Sequence, residues 1–303
     1  MSFDKLKKSS QQSLENLANA MEKLGKKNYE DDRLWKPTPD KSGNAYAKIR
    51  FLDISEADEK GNHDALPWVQ YHSHGFKGPG GWLIDNCLTS HNQPCPVCES
   101  NTQLWNAGRK DLISGDNGRK RKLHYISNIL VLKDPMNPEN EGKVFLFKYG
   151  VKIFEKIQAK LAPRYADQQS VNVFNYWNGA NFNLRTNKGS KGYNYDNCDF
   201  DPQGPLYTKI DDKGNTVADD DKLKKVYDSQ YSLADFIRNL PMKSYADLKK
   251  RLLQVEGAPS STYTKSAEDY ETESESHSDT TTSSSPPFEE DDNMSYFSQL
   301  AGD

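Results

Sequence analysis

From Ala47 to Phe51 apolar and charged residues alternate, with Ala47, Ile49 and Phe51 on one side and Lys48 and Arg50 on the other. A period of two is that of a strand with one face on a core and one in water, so a half-buried strand is predicted. Its cations face outward, and Arg50 becomes a candidate contact for a phosphate. Asn128-Ile129-Leu130-Val131-Leu132 reads as a buried strand, and Val171-Asn172-Val173-Phe174 and Phe182-Asn183-Leu184-Arg185 as further strands. Around Ile153, Phe154, Ile157 and Leu161 the period lengthens to that of a helix, and another helix is predicted over Tyr245–Val255. Near the start, Leu14, Leu17, Met21 and Leu24 recur at helical spacing with Gly25 placed as a stop. Several strands with one or two helices predict a mainly β fold with α additions, a small elaborated barrel.

Composition divides the chain. Its 303 residues suggest roughly two domains' worth of sequence, but a hydrophobic content of 34% is low, so part of the chain is expected not to pack. The net charge of -4 hides an asymmetry: eleven acidic residues and no Lys or Arg lie between Ser266 and Asp303, which leaves 40 basic against 33 acidic residues in 1–265. Residues 258–303 are Ser-, Thr- and acid-rich, and are expected to form a disordered tail because they hold too little apolar surface to offset ordering entropy. Such a tail suits competition for a basic groove, and its terminal Met294, Tyr296, Phe297 and Leu300 suit reading by partner proteins. The N-terminus lacks an apolar signal core and no stretch approaches the ~18 apolar residues of a membrane span, so an intracellular chain with no membrane partner is expected.

In a reducing compartment clustered cysteines more often bind metal than bridge. Three of the four cysteines, Cys87, Cys95 and Cys98, fall within twelve positions, the last two as Cys95-Pro96-Val97-Cys98. A tetrahedral zinc needs a fourth donor, and His72 and His74, two apart in a strand-like WVQYHSHGF, both offer one. Four protein donors leave no position for water, which predicts one structural zinc ion. The Pro-Cys-x-x-Cys half of a zinc nucleobase deaminase is present, but the His-x-Glu that carries protons is not. No phosphate-binding or nucleophile-elbow motif appears either, and no enzymatic activity is expected.

Cations interleave with aromatics in the body. Arg119-Lys120-Arg121-Lys122 runs into His124-Tyr125; Lys143 and Lys148 bracket Phe145, Phe147 and Tyr149; Lys188 and Lys191 precede Tyr193 and Tyr195. Single-stranded nucleic acid requires this mixture, because its phosphates need a basic track and its unpaired bases need ring faces, each stack contributing about 1–3 kcal/mol. Alternation places Phe145, Phe147 and Tyr149 on one face, which serves equally as core; core is the expectation for Phe145, while core and stacking stand level for Phe147. Tyr125, Tyr193 and Tyr195 are expected to be exposed.

With these pieces in place the chain resembles the helix-destabilising single-stranded DNA-binding proteins of T-even-type bacteriophages, over nearly its whole length. The matching residues are Ile49-Arg50-Phe51-Leu52, His74-Gly75-Phe76, Cys87, Cys95-Pro96-Val97-Cys98, Gly179-Ala180-Asn181-Phe182, the acidic end, and above all the run from Asn128 through Lys133-Asp134-Pro135 to Phe145. The resemblance implies an OB-fold core over residues 28–257 with an inserted zinc subdomain at about 70–122. A short N-terminal helical arm over residues 1–27 would serve cooperative self-association, and an acidic tail would bind replication and recombination proteins. It selects His74, Cys87, Cys95 and Cys98 as zinc ligands. It likens Lys5, Lys7, Lys8, Ser9 and Ser10 to a head-to-tail self-association motif, and Lys120-Arg121-Lys122 to a second copy in which Leu123 and His124 replace the hydroxyl pair. Its DNA-facing aromatics carry to Tyr125, Trp105, Phe147, Tyr193 and Tyr195, while Asp116 stands where a tyrosine is expected and the loop Leu88–Pro94 is short. The implied function is cooperative, sequence-nonspecific coating of single-stranded DNA during phage replication, recombination and repair, in the cytoplasm of the infected bacterial host. The alternatives are an RNA-binding translational regulator on the same fold, its own mRNA among the possible ligands, and the deaminase.

Overall fold

The computed structural model describes residues 31–257 except His63, Gly115–Asn117, Ala166, Ser190 and Lys191. The predicted N-terminal helix, the arm residues Lys5 to Ser10, Asp116, Lys191 and the acidic tail lie outside the described residues. The chain divides into two compact units, one built from residues up to Val69 together with Tyr125–Phe236, the other from Gln70–His124 together with the segment from Ile237.

The first unit is organised by a sheet. Its strands are β1 (Leu34–Trp35), β2 (Ala45–Phe51), β5 (Lys122–Lys133, from Tyr125 onward), β6 (Val144–Tyr149), β7 (Phe182–Gly189), β8 (Gly192–Asn194) and β9 (Asp199–Phe200). They run in the order β1-β6-β5-β2-β7-β8, with β9 also on β7, antiparallel except for the β1–β6 pair. Phe51 sits at the centre of one face, its ring 5.5 to 6.4 Å from those of Tyr149, Phe182, Phe174, Phe147 and Phe200. A second cluster gathers Leu52, Leu130, Val144, Tyr176, Leu206, Leu223 and Val226. Ser127 to Val131 in β5 are fully buried, which accounts for the absence of polar alternation there.

The helices of this unit are α1 (Glu56–Gly61), α4 (Val151–Leu161), α5 (Asp220–Asp228) and α6 (Leu233–Arg238); a small hairpin, β10 (Thr208–Ile210) with β11 (Thr216–Ala218), stands apart. Asp58 of α1 caps α6 from a distance of 174 residues and more. Its carboxylate accepts from the Ser232 hydroxyl at 2.6 Å, from the Leu233 and Ala234 amides at 2.8 and 3.1 Å, and from Ser55 at 2.8 Å. Burial pushes its pKa up, but these hydrogen bonds outweigh burial and hold it below the usual carboxylate value.

Two expectations are corrected. Val171–Phe174 forms no strand: Val173 and Phe174 are buried, but in a turn that the Asn172 side chain closes onto the Phe174 amide at 3.1 Å. In β6, Phe147 and Tyr149 are core and Phe145 is half-buried, and Val144 and Leu146 on the opposite face are buried as well.

The second unit contains the hairpin β3 (Val69–Gly78) with β4 (Gly81–Asn86), a 3-10 turn at Leu88–His91, α2 (Pro96–Asn106), the single turn α3 (Lys110–Ile113) and α7 (Tyr245–Glu256). Phe76 and Leu83 from the hairpin, Leu88, Val97, Cys87 and Cys95 pack with Leu248, Leu252 and Val255 of α7. The contact is close enough to require glycine: a Cβ on Gly80 would fall 1.8 Å from the Gln254 carbonyl oxygen, and one on Gly78 2.3 Å from that of Val255. The predicted helix at 245–255 therefore belongs with the cysteine segment, a grouping that its sequence distance concealed. Among the described residues no helix is long and apolar enough to cross a membrane.

Candidate metal centre and nucleic-acid interface

The hairpin, the 3-10 turn and α2 bring four donors together. His74 comes from β3, Cys87 from the end of β4, and Cys95 and Cys98 from the N-terminus of α2, where Pro96 at the first helical position sets the turn. Their ligand atoms all lie within 4.8 Å of one another. Cys87 Sγ is 3.5 Å from Cys98 Sγ, and His74 Nε2 is 3.4 and 3.7 Å from Cys95 Sγ and Cys98 Sγ. Zinc bond lengths of about 2.3 Å to sulfur and 2.0–2.1 Å to nitrogen give tetrahedral edges of about 3.8 Å and 3.6 Å, and these three separations lie close to them, so the donor set and its spacing suit such an ion. All four cysteines of the chain are unbridged.

The four donors shift one another's proton affinities. Hydrogen bonds from Cys87 and Cys98 push the Cys95 thiol down, the Cys87 thiol is also lowered, and these two neighbours push Cys98 up. Burial lowers the pKa of His74, but the adjoining Cys87 and Cys95 outweigh it and raise the imidazole to about 9. Three thiolates this close inside a buried site repel one another unless a metal ion neutralises them. His74 is 1% exposed, Nε2 faces the sulfurs, and Nδ1 has no hydrogen-bond partner among the described residues.

Of the two histidines the sequence offered, the fold puts His74 at the cluster. His72 serves the turn instead: its amide donates to Ser90 Oγ at 2.8 Å and its carbonyl accepts from the Cys87 amide at 2.9 Å.

The residues expected against DNA separate into two groups. Arg50 is 1% exposed and its guanidinium donates to Asn181 Oδ1 at 2.9 Å, the Gly204 carbonyl at 2.7 Å and the Asn175 carbonyl at 3.4 Å. It is a structural arginine whose pKa burial lowers to about 10, not an outward-facing cation. Tyr125, expected to be exposed, is 7% exposed and stacks on Phe154 with ring centres 3.9 Å apart and planes within 11°. Phe147 is core, held between Trp35, Phe51 and Tyr149. Arg119 lies over the Phe76 ring at 4.7 Å and binds Glu256 at 2.6 Å and Ser100 at 3.0 Å, so it ties α7 to α2.

The second group is accessible. Lys120, Arg121 and Lys122 are exposed. Tyr193 is 47% exposed and pairs across β7–β8 with Lys188; Tyr195 is half-buried. Trp105 is half-buried with the Lys110 ammonium 4.4 Å above its ring. Sequence reasoning passed over Trp82, 52% exposed and opposite Lys77 in the hairpin. Alternation around the buried Leu83 was the available signal, since it sends Trp82 and Ile84 outward together. Trp177, 50% exposed, carried no such pattern; its indole donates to Asp220 at 2.9 Å.

Comparison with known proteins agrees with these features. Residues 43–256 match the family described as gp32 DNA binding protein like. The single-stranded DNA-binding protein of Enterobacteria phage T4 is 36% identical over 249 residues, 80% of this chain and 77% of that protein. Its counterpart in Enterobacteria phage T2 is 36% identical over 235 residues, 75% and 71% of the two chains.

Proposed function

This chain belongs to the gp32 DNA binding protein-like family, and from that premise we propose that it is a non-enzymatic, cooperative single-stranded DNA-binding protein that coats intermediates of phage replication, recombination and repair. The structural observation that carries the proposal is the exposed cationic run Lys120, Arg121 and Lys122 in the same compact unit as a closed four-donor metal cluster. We read the sheet of the first unit as an OB-fold barrel and the cluster as a structural zinc site. Zinc, when bound, supplies no reaction; it links the hairpin, the 3-10 turn and α2 and so holds the loops that carry these cations.

Binding then follows from the exposed side chains. Lysines and arginines neutralise phosphates, while accessible rings, Tyr193 beside Lys188 and Trp82 beside Lys77 foremost, stack bases regardless of sequence. Duplex DNA cannot offer its bases in this way, so occupancy draws duplex towards single strands by mass action. Residues 1–27, with Lys5, Lys7, Lys8, Ser9 and Ser10, would dock on the next protomer, and the acidic tail would compete for the basic surface and recruit replication and recombination proteins. The place of action is the cytoplasm of the infected bacterium.

The test is a fluorescence titration with poly(dT) across a salt series, on zinc-loaded and chelated protein, beside a matched RNA. With about six phosphates neutralised, log K falls by about 4 per decade of salt. Steep quenching that weakens on chelation is expected; absence of quenching at low salt would refute the reading. Tighter binding to RNA would favour the regulator, since stacking tolerates both sugars.

A further inference from the structure

Thr89 lies in the 3-10 turn Leu88–His91, two residues after Cys87, one of the four donors of the candidate metal centre. Its hydroxyl oxygen is 3.0 Å from Cys87 Sγ, and the same oxygen accepts a hydrogen bond of 3.2 Å from Arg121 Nη1. A metal-bound thiolate can only accept, and a guanidinium can only donate. When Cys87 is ligated, the hydroxyl proton must therefore point to sulfur and the oxygen lone pair to Arg121, giving one ordered relay from an exposed cation to a buried ligand. Arg119, by contrast, is committed to Glu256 and Ser100 and carries no such link.

We propose that Thr89 is a positioning residue of the metal centre and that Arg121, acting through it, couples metal retention to an anion held at the surface. The second half rests on the DNA-binding reading above. Ligation fixes Cys87, which fixes the Thr89 hydroxyl and steadies Arg121; a phosphate on the remaining guanidinium donors steadies the same relay from its other end. Linkage makes the effect reciprocal: the factor by which the phosphate strengthens metal binding equals the factor by which metal strengthens phosphate binding.

The experiment follows zinc transfer from the full-length protein to a chromophoric chelator, with and without an oligothymidylate whose binding is monitored separately by anisotropy. Thr89→Val keeps the shape and removes the hydroxyl; Thr89→Ser restores it. Loss of an outer-sphere hydrogen bond typically weakens a metal site by about tenfold or more, so Thr89→Val should release zinc about tenfold faster while Thr89→Ser stays close to the parent. The thiolate-to-metal charge-transfer band of the Co(II)-substituted protein should shift in the valine variant alone, a readout that a general loss of stability would not produce. The oligomer should slow release by about fivefold in the parent and Thr89→Ser, and not in Thr89→Val or Arg121→Gln. Equal release and an unshifted band in the valine and serine variants would overturn the positioning role. Equal slowing in Thr89→Val and the parent would overturn the coupling. An oligomer that does not bind by anisotropy would overturn the DNA-binding reading and the coupling together, while the valine and serine pair would still decide the role of Thr89.

Discussion

Replacing Arg50 separates a structural cation from a DNA contact, because the conservative change should be the more damaging one. In Arg50→Met the acceptors on Asn181, Gly204 and Asn175 lose their donors, but no charge remains to be desolvated. With about 1–3 kcal/mol for each strongly bonded acceptor, partly offset by removal of the buried charge, we expect a net loss of about 2 kcal/mol. Arg50→Lys keeps the charge inside, where the parent guanidinium is 1% exposed, and a single ammonium cannot reach three acceptors placed for a planar fork. Its loss should be about 3–5 kcal/mol, in the range of a broken buried ionic contact. Urea denaturation followed by near-UV circular dichroism measures both, and poly(dT) titration of each folded variant measures the salt slope, which should equal that of the parent. A lysine variant as stable as the parent, with a salt slope smaller by about one, would make Arg50 a phosphate contact and refute its structural assignment.

Other expectations follow from the same contacts. Asp58 has its carboxyl held below the usual value, so the stability it contributes is present above the unfolded carboxylate range and is lost as pH falls through the lower folded value. In Asp58→Asn the acid-side change in stability between about pH 4 and 2 should shrink, and an unaltered pH profile would contradict the cap on α6. Chelation of the proposed zinc should raise amide exchange at Gln70–His124 and in α7 while sparing β2 and the part of β5 from Tyr125 onward; uniform exchange changes would contradict a metal that organises the second unit. Tyr193→Ala should weaken poly(dT) binding by about 1–3 kcal/mol with stability unchanged, whereas Tyr125→Ala should lower stability by about 3–5 kcal/mol through loss of its stack on Phe154. Titration beside thermal melting distinguishes the two, and a reversed pattern would return Tyr125 to the DNA surface.

Local periodicity and ligand spacing were legible in the chain by itself. The strands at 47–51, 128–132 and 182–185, the helices at 153–161 and 245–255, and the cysteine cluster all depend on neighbours within a few residues or a short loop. The choice of His74 over His72 followed from resemblance, since both lie on the same strand, and the fold decides it by placing Nε2 at the sulfurs. Tertiary structure alone decided which faces meet water. Alternation at 47–51 divides side chains into two sets but does not say that Asn175, Asn181 and Gly204 will cover the polar one, so Arg50 read as exposed and is buried. The same applies to Tyr125, enclosed by Phe154 and Tyr149, and to Arg119, enclosed by Glu256 from more than a hundred residues away. Period reports backbone geometry; burial depends on what packs against the second face, and here that comes from segments distant in the sequence.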